Sequence, residues 1–65
     1  MFERVWYAIR WYDADEQEHY YAGTTSFRYA RQGMESAMKL MPNCTKVRLY
    51  KNDSLIMEVK KDVEH

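Results

Sequence analysis

Length, composition and charge describe one small folded domain and exclude several classes of protein. The chain has 65 residues, of which 46% are hydrophobic and 31% are charged, and its formal net charge is zero. Disorder requires low hydrophobicity with high net charge, and sequence-independent nucleic-acid binding usually shows as a basic domain. We therefore expect a globular domain whose thin core leaves self-association as its available source of extra stability.

Cysteine and histidine usage limits the chemistry further. The single cysteine, Cys44, cannot form an internal disulfide, and His19 and His65 lie too far apart in the sequence to make a zinc ligand set.

Arg10 interrupts the first apolar stretch, so neither a signal peptide nor a membrane span is predicted. We expect a cytoplasmic protein with no cofactor and no metal. Residues 1–62 are predicted to form the domain, and residues 63–65 a disordered tail resembling the junction of a purification tag.

The first half of the chain predicts a β-hairpin. Residues from Arg4 to Tyr12 are aromatic and β-branched, and their side chains alternate as in an amphipathic strand. The polar run from Asp13 to Gln17 is typical of a turn, and a second strand is predicted from Glu18 to Ala22.

A helix is predicted next. Thr24, Thr25 and Ser26 are N-cap residue types, and apolar residues then recur at helical spacing from Phe27 to Met41. Pro42 followed by Asn43 predicts the end of the helix.

A second hairpin follows the helix. Strands are predicted over Lys46–Tyr50 and Leu55–Lys60, with a turn at Asn52 and Asp53. The ββαββ order indicates an α+β fold in which one helix packs on one face of a four-stranded antiparallel sheet.

Because one helix covers one face, alternation divides the strand residues into two sets. The residues predicted to face the helix are Tyr7, Ile9, Trp11, Tyr20, Ala22, Val47, Leu49, Leu55, Met57 and Val59. The residues predicted on the opposite face are Trp6, Arg10, Tyr12, His19, Tyr21, Arg48, Tyr50, Ile56 and Lys60. The uncovered face is therefore expected to be rich in aromatic residues and cations.

Three interpretations of that face remain open. Its side chains could stabilise the sheet through cross-strand pairs without any partner. They could bind protein, including a second copy joined through open faces or edge strands, since aromatic residues and arginine are frequent interface hot spots. They could instead stack the bases of single-stranded nucleic acid. The predicted partner-binding residues are Trp6, Arg10, Tyr12, Tyr21, Arg48, Tyr50 and Ile56.

The acidic turn, formed by Asp13, Asp15, Glu16 and Glu18, has two main interpretations. It is either a solvated hairpin loop or a surface that meets a basic protein. Calcium is a weaker alternative, because the turn lacks the glycine and the distant glutamate of an EF-hand loop.

Catalysis has little support in the sequence. Cys44 follows the end of the helix, where the helix dipole disfavours a thiolate, and His19 is predicted on an open strand. Gly23 and Gly33 stand alone, so there is no glycine-rich phosphate loop.

We predict a non-enzymatic protein-interaction or regulatory module that self-associates, with single-stranded nucleic-acid binding as the alternative. Neither a membrane nor a small-molecule substrate is expected. Domains of this style are frequent among phage and mobile-element proteins.

Overall fold

The computed structural model describes residues 4–61, which form four antiparallel strands and one helix in ββαββ order. The predicted α+β class and element order are confirmed. The predicted tail at residues 63–65 lies outside the described residues. The sheet has the strand order β2-β1-β3-β4, so β2 and β4 are its edges. The elements are β1 (Tyr7–Tyr12), β2 (Glu18–Thr24), α1 (Phe27–Leu40), β3 (Lys46–Lys51) and β4 (Ser54–Lys60).

The helix begins and ends where the sequence predicts. Ser26 is the N-cap, and its hydroxyl accepts a hydrogen bond from the backbone N–H of Tyr29 at 3.4 Å. Met41 closes the other end by donating its backbone N–H to the carbonyl of Ala37 at 3.0 Å. Asn43 then adopts a left-handed conformation with φ 61°, which turns the chain towards β3. Within residues 4–61, no helix has the length and apolar character needed to cross a bilayer.

The core lies between α1 and the sheet, chiefly β1, β2 and β3, and Met57 of β4 packs at its border. Gly33 allows the close approach of helix and sheet, because a Cβ atom at this position would lie 2.5 Å from Cδ1 of Ile9. Among the described elements, the edge strand β4 is the one that α1 does not cover, and its inward-facing Val59 is 46% exposed. The buried side chains of the core cluster are Ile9, Ala30, Met34, Ala37, Cys44, Val47 and Leu49.

A β-bulge in each edge strand changes the predicted alternation of side chains. In β2, Ala22 pairs with Ile9 but Tyr20 pairs with Arg10, so Tyr21 is the extra residue. A bulge inserts one residue on one strand and shifts which face its neighbours occupy. Tyr20 was therefore wrongly predicted to face the helix, since it lies opposite Arg10 on the uncovered face.

The same β2 bulge overturns two predictions made for the uncovered face. Tyr21 packs against the buried core instead of lying on the open side of the sheet. His19 lies opposite Trp11 and stacks on its ring at a centroid distance of 4.3 Å. Both residues belong to the face that the helix covers, so neither is part of the open surface.

The bulge in β4 has the corresponding effect. Met57 pairs with Leu49 but Leu55 pairs with Tyr50, which makes Ile56 the extra residue. Leu55 was predicted to face the helix, and this was wrong because it lies opposite Tyr50. Ile56 remains 45% exposed at the bulge.

Candidate interaction surface

The sheet face opposite α1, here called the open face, divides into two chemically different ends. The charged end is formed by Arg10, Tyr12, Glu18, Lys46, Arg48 and Glu58. The apolar end is formed by Trp6, Ala8, Tyr20, Gly23, Tyr50 and Leu55. The guanidinium of Arg10 lies 5.0 Å from the centroid of the Tyr50 ring and joins the two ends.

Both arginines of the charged end already have an acidic partner. Nη1 of Arg10 lies 2.8 Å from Oε1 of Glu18, which ties β1 to β2. Nε of Arg48 lies 2.7 Å from Oε2 of Glu58, which ties β3 to β4. Arg48 holds the pKa of Glu58 below its ordinary value of 4.5. The two ion pairs contact all four strands and neutralise both arginines, and the Lys46 ammonium over the Tyr12 ring leaves this end with one excess positive charge.

Tyr12 connects the two ion pairs. Its side chain is only 7% exposed, and its hydroxyl donates a hydrogen bond to Glu18 while accepting one from Nη1 of Arg48 at 3.4 Å. Cations cover its ring, with the Lys46 ammonium at 4.8 Å and the Arg48 guanidinium at 5.0 Å from the centroid. Burial and the bond to Glu18 raise the pKa of Tyr12, and the same bond lowers the pKa of Glu18. The hydroxyl therefore stays protonated and the carboxylate stays charged.

The apolar end is exposed. Trp6 is 50%, Tyr20 is 60% and Leu55 is 49% accessible to solvent. A Cβ atom on Gly23 would overlap the Trp6 ring and lie 2.5 Å from the Tyr20 hydroxyl, so glycine allows the indole to lie directly against β2. Large aromatic and aliphatic side chains thus surround small residues at this end.

Asn52 fixes the position of Trp6. Its Oδ1 accepts the backbone N–H of Trp6 at 2.9 Å, and its own backbone N–H donates to the Trp6 carbonyl at 2.9 Å. Its Nδ2 also donates to the carbonyl of Arg4 at 3.2 Å. The sequence indicated Asn52 only as a turn residue. Its second role depends on a segment 46 positions away, so no local signal could have shown it.

The acidic turn does not form one cluster. Oδ1 of Asp13 accepts the backbone N–H groups of Asp15 and Gln17, and its Oδ2 lies 2.8 Å from Nε2 of His19. The bond to His19 lowers the pKa of Asp13. Glu18 points into the charged end instead. Asp15 and Glu16 are exposed, and Glu16 has a left-handed backbone with φ 62°.

Within residues 4–61, the geometry shows neither a metal-ligand cluster nor an activated cysteine. In the part of the chain that the structure describes, no three His, Cys, Asp or Glu side chains lie close enough together to hold a metal ion. Cys44 is buried, and burial raises the pKa of its thiol. Its Sγ donates a weak hydrogen bond to the carbonyl of Lys46 at 3.6 Å. A protonated, enclosed thiol is a weak nucleophile.

The structure brings together four of the predicted partner-binding residues, Arg10, Tyr12, Arg48 and Tyr50, and places Trp6 at the other end of the same face. Sequence reasoning assigned Glu18 to the acidic turn and missed Glu58 and Lys46 in the charged end. It also missed Tyr20 and Leu55 in the apolar end, because the bulges have no clear sequence signature. A comparison with protein-family models, characterised proteins and solved structures finds no significant match.

Proposed function

We propose that this chain is a non-enzymatic protein-binding module whose contact surface is the apolar end of the open face. The observation that carries the proposal is the group of half-exposed side chains Trp6, Tyr20 and Leu55 on the sheet face opposite α1. Contiguous exposed apolar surface on a small domain marks interaction sites, and tryptophan and tyrosine dominate interface hot spots. Hydrogen bonds exchanged with Asn52 hold the Trp6 backbone in place before a partner arrives, which reduces the ordering cost of binding.

The chemistry of the face also describes the partner. Arg10 and Arg48 are occupied by Glu18 and Glu58, so the cation that the charged end still offers to a partner is the Lys46 ammonium. The partner we infer is a protein that presents apolar side chains to Trp6 and Leu55 and surrounds them with polar groups.

The same ion pairs make single-stranded nucleic acid the weaker candidate. Phosphate binding requires arginine and lysine groups that are available to the backbone, and it gives an affinity that falls steeply with salt. Here each arginine would first have to leave a carboxylate. The exposed aromatic rings would still offer stacking surface, so the two candidates differ mainly in their salt dependence.

The experiment compares retention of proteins from a native extract on the wild-type chain and on Trp6→Ala and Leu55→Ala, followed by titration with each purified candidate. Arg28→Ala, an exposed substitution on α1, is the matched control. We expect a partner that binds wild type and the control saturably and binds both apolar-end variants at least about tenfold more weakly. Circular dichroism of each variant should remain that of the wild type.

A different result would overturn the proposal. If every retained protein binds Trp6→Ala and Leu55→Ala as tightly as the wild type, the apolar end is not the contact surface. A random single-stranded oligonucleotide provides the second arm. Binding that falls steeply with salt and is lost in Arg10→Ala and Arg48→Ala would favour the nucleic-acid function instead.

The proposal includes a cytoplasmic location, which is supported by a single cysteine, Cys44, that is buried and unbridged.

A further inference from the structure

The uncovered edge of β4 has the features of a pairing surface. Leu55, Ile56 and Val59 are each close to half exposed, and α1 packs over the other three strands. A groove of about 380 Å³ lies between α1 and β4, with Met34, Met38 and Val59 as its apolar lining. An exposed edge with apolar side chains is a template for adding another strand.

The hydrogen-bond pattern of β4 determines which of its residues can pair outwards. The N–H of Lys61 donates to the carbonyl of Thr45 at 2.8 Å, so Lys61 bonds towards β3. Val59 lies two residues before Lys61 and pairs with Val47 of β3. In antiparallel sheets, residues alternate between those that bond to the neighbouring strand and those that do not. Glu58 and Lys60 therefore direct their backbone N–H and C=O groups to the free edge.

From this geometry we infer that a second copy of this chain pairs antiparallel with the β4 edge, about a two-fold axis that passes through Val59. In this register Glu58 of each copy lies opposite Lys60 of the other, and both pairs can exchange backbone hydrogen bonds. The Val59 side chains meet as a non-hydrogen-bonded pair, where side chains approach most closely. An isologous contact of this kind closes on itself and forms a dimer.

Charge selects this register over its neighbours. A shift of the axis to residue 58 places Glu58 directly opposite its own copy, and a shift to residue 60 does the same to Lys60. Like charges directly opposite each other destabilise a strand pair, whereas opposite charges stabilise it. With the axis at Val59, Glu58 lies between Arg48 of its own chain and Lys60 of the other copy.

The dimer would join two sheets into one of eight strands. Because paired residues lie on the same side of a sheet, both helices would lie on one side and both open faces on the other. The two copies of Trp6 would then face the same direction, and the dimer would be bivalent for a partner. The residues that pair, Glu58, Val59 and Lys60, lie outside the apolar end, so dimerisation does not depend on the proposed function.

Sedimentation velocity over a concentration series tests the pairing. We expect a reversible dimer for the wild type and a dissociation constant raised about tenfold or more for Lys60→Glu and for Glu58→Lys. An equimolar mixture of these two variants should recover the dimer, because each Glu then lies opposite a Lys of the other chain. Arg28→Glu changes the charge in the same sense outside the β4 edge, and it should leave the dimer intact.

Two further variants distinguish edge pairing from misfolding and from contact through the apolar end. Lys60→Pro removes an N–H that faces the free edge and spares the pairing with β3, so it should give a folded monomer even if Glu58→Lys fails to fold. Trp6→Ala should remain dimeric. The inference is wrong if the wild type is a monomer at every concentration, if the mixed variants do not associate, or if Trp6→Ala dissociates the dimer while Lys60→Pro does not.

Discussion

Removing the hydroxyl of Tyr12 tests whether the charged end of the open face holds the sheet together. The Tyr12→Phe variant keeps the ring under Lys46 and Arg48 but loses the bonds to Glu18 and Arg48. A hydrogen bond to a charged group makes a net contribution of about 1.5–3 kcal/mol to the free energy of unfolding. Glu18 is 43% exposed and keeps Arg10, so water replaces much of the lost bond and we expect a loss of about 1 kcal/mol.

A loss of that size is large for this chain. In domains of 60–100 residues, about 1 kcal/mol lowers the unfolding temperature by about 4–8 °C. Small single cores rarely supply more than about 3–5 kcal/mol in total. Thermal and urea unfolding followed by circular dichroism would measure the change. Tyr20→Phe is the matched control, because its hydroxyl lies at the exposed apolar end, and it should change the stability by less than half as much.

A double-mutant cycle assigns the loss to one contact. If the Tyr12 hydroxyl acts through Glu18, then combining Tyr12→Phe with Glu18→Gln should cost less than the sum of the single changes. Equal stability of Tyr12→Phe and wild type would refute the reasoning. So would equal losses in Tyr12→Phe and Tyr20→Phe, since the effect would then not depend on the network.

Two other predictions concern pH and the second hairpin. The pKa values of Asp13, Glu18 and Glu58 are lowered in the folded protein, so the unfolded chain takes up protons first as the pH falls below their ordinary values of 3.8 and 4.5. The urea midpoint should therefore be constant from about pH 7 to pH 6 and fall steadily towards pH 3, and a flat profile would contradict this. Asp53 has φ 70° beside Asn52 at φ 48°, as a type I′ turn requires, so Asp53→Gly should stabilise the chain by about 0.5–1 kcal/mol in urea unfolding. A destabilised Asp53→Gly variant would show that its side chain contributes more than its backbone strain costs.

The fold could be predicted because local and global signals agree. The apolar spacing from Phe27 to Met41 and the stop at Pro42 indicate one helix, and the period-two patterns on either side indicate two hairpins. Ile9, Val47 and Leu49 were assigned to the core by the same alternation, and all three are fully buried. One helix with a continuous apolar stripe can cover only one face of such a sheet, so the open face followed from element count alone.

The membership of the open face was harder to predict, because strict alternation fails at a bulge. One extra residue at Tyr21 moved Tyr20 to the open face, and another at Ile56 did the same to Leu55. The bulges depend on how whole strands twist and pair, which a local sequence window does not contain. The prediction was accurate on the central strands, where Arg10 and Arg48 lie opposite each other as alternation requires.

The division of the open face reconciles two interpretations that the sequence left as competitors. At the charged end, Arg10 and Arg48 are bound by carboxylates and rest on aromatic rings, which is what sheet stabilisation through cross-strand pairs requires. At the apolar end, Trp6 has a fixed backbone and an exposed ring, which suits a binding contact. Docking on Trp6 would then require little ordering of this chain, because Asn52 holds the Trp6 backbone and the two ion pairs, joined by the Tyr12–Arg48 hydrogen bond, connect the four strands. The prediction that follows is a separation of effects: substitutions at the charged end should change stability more than affinity, and substitutions at the apolar end should change affinity more than stability.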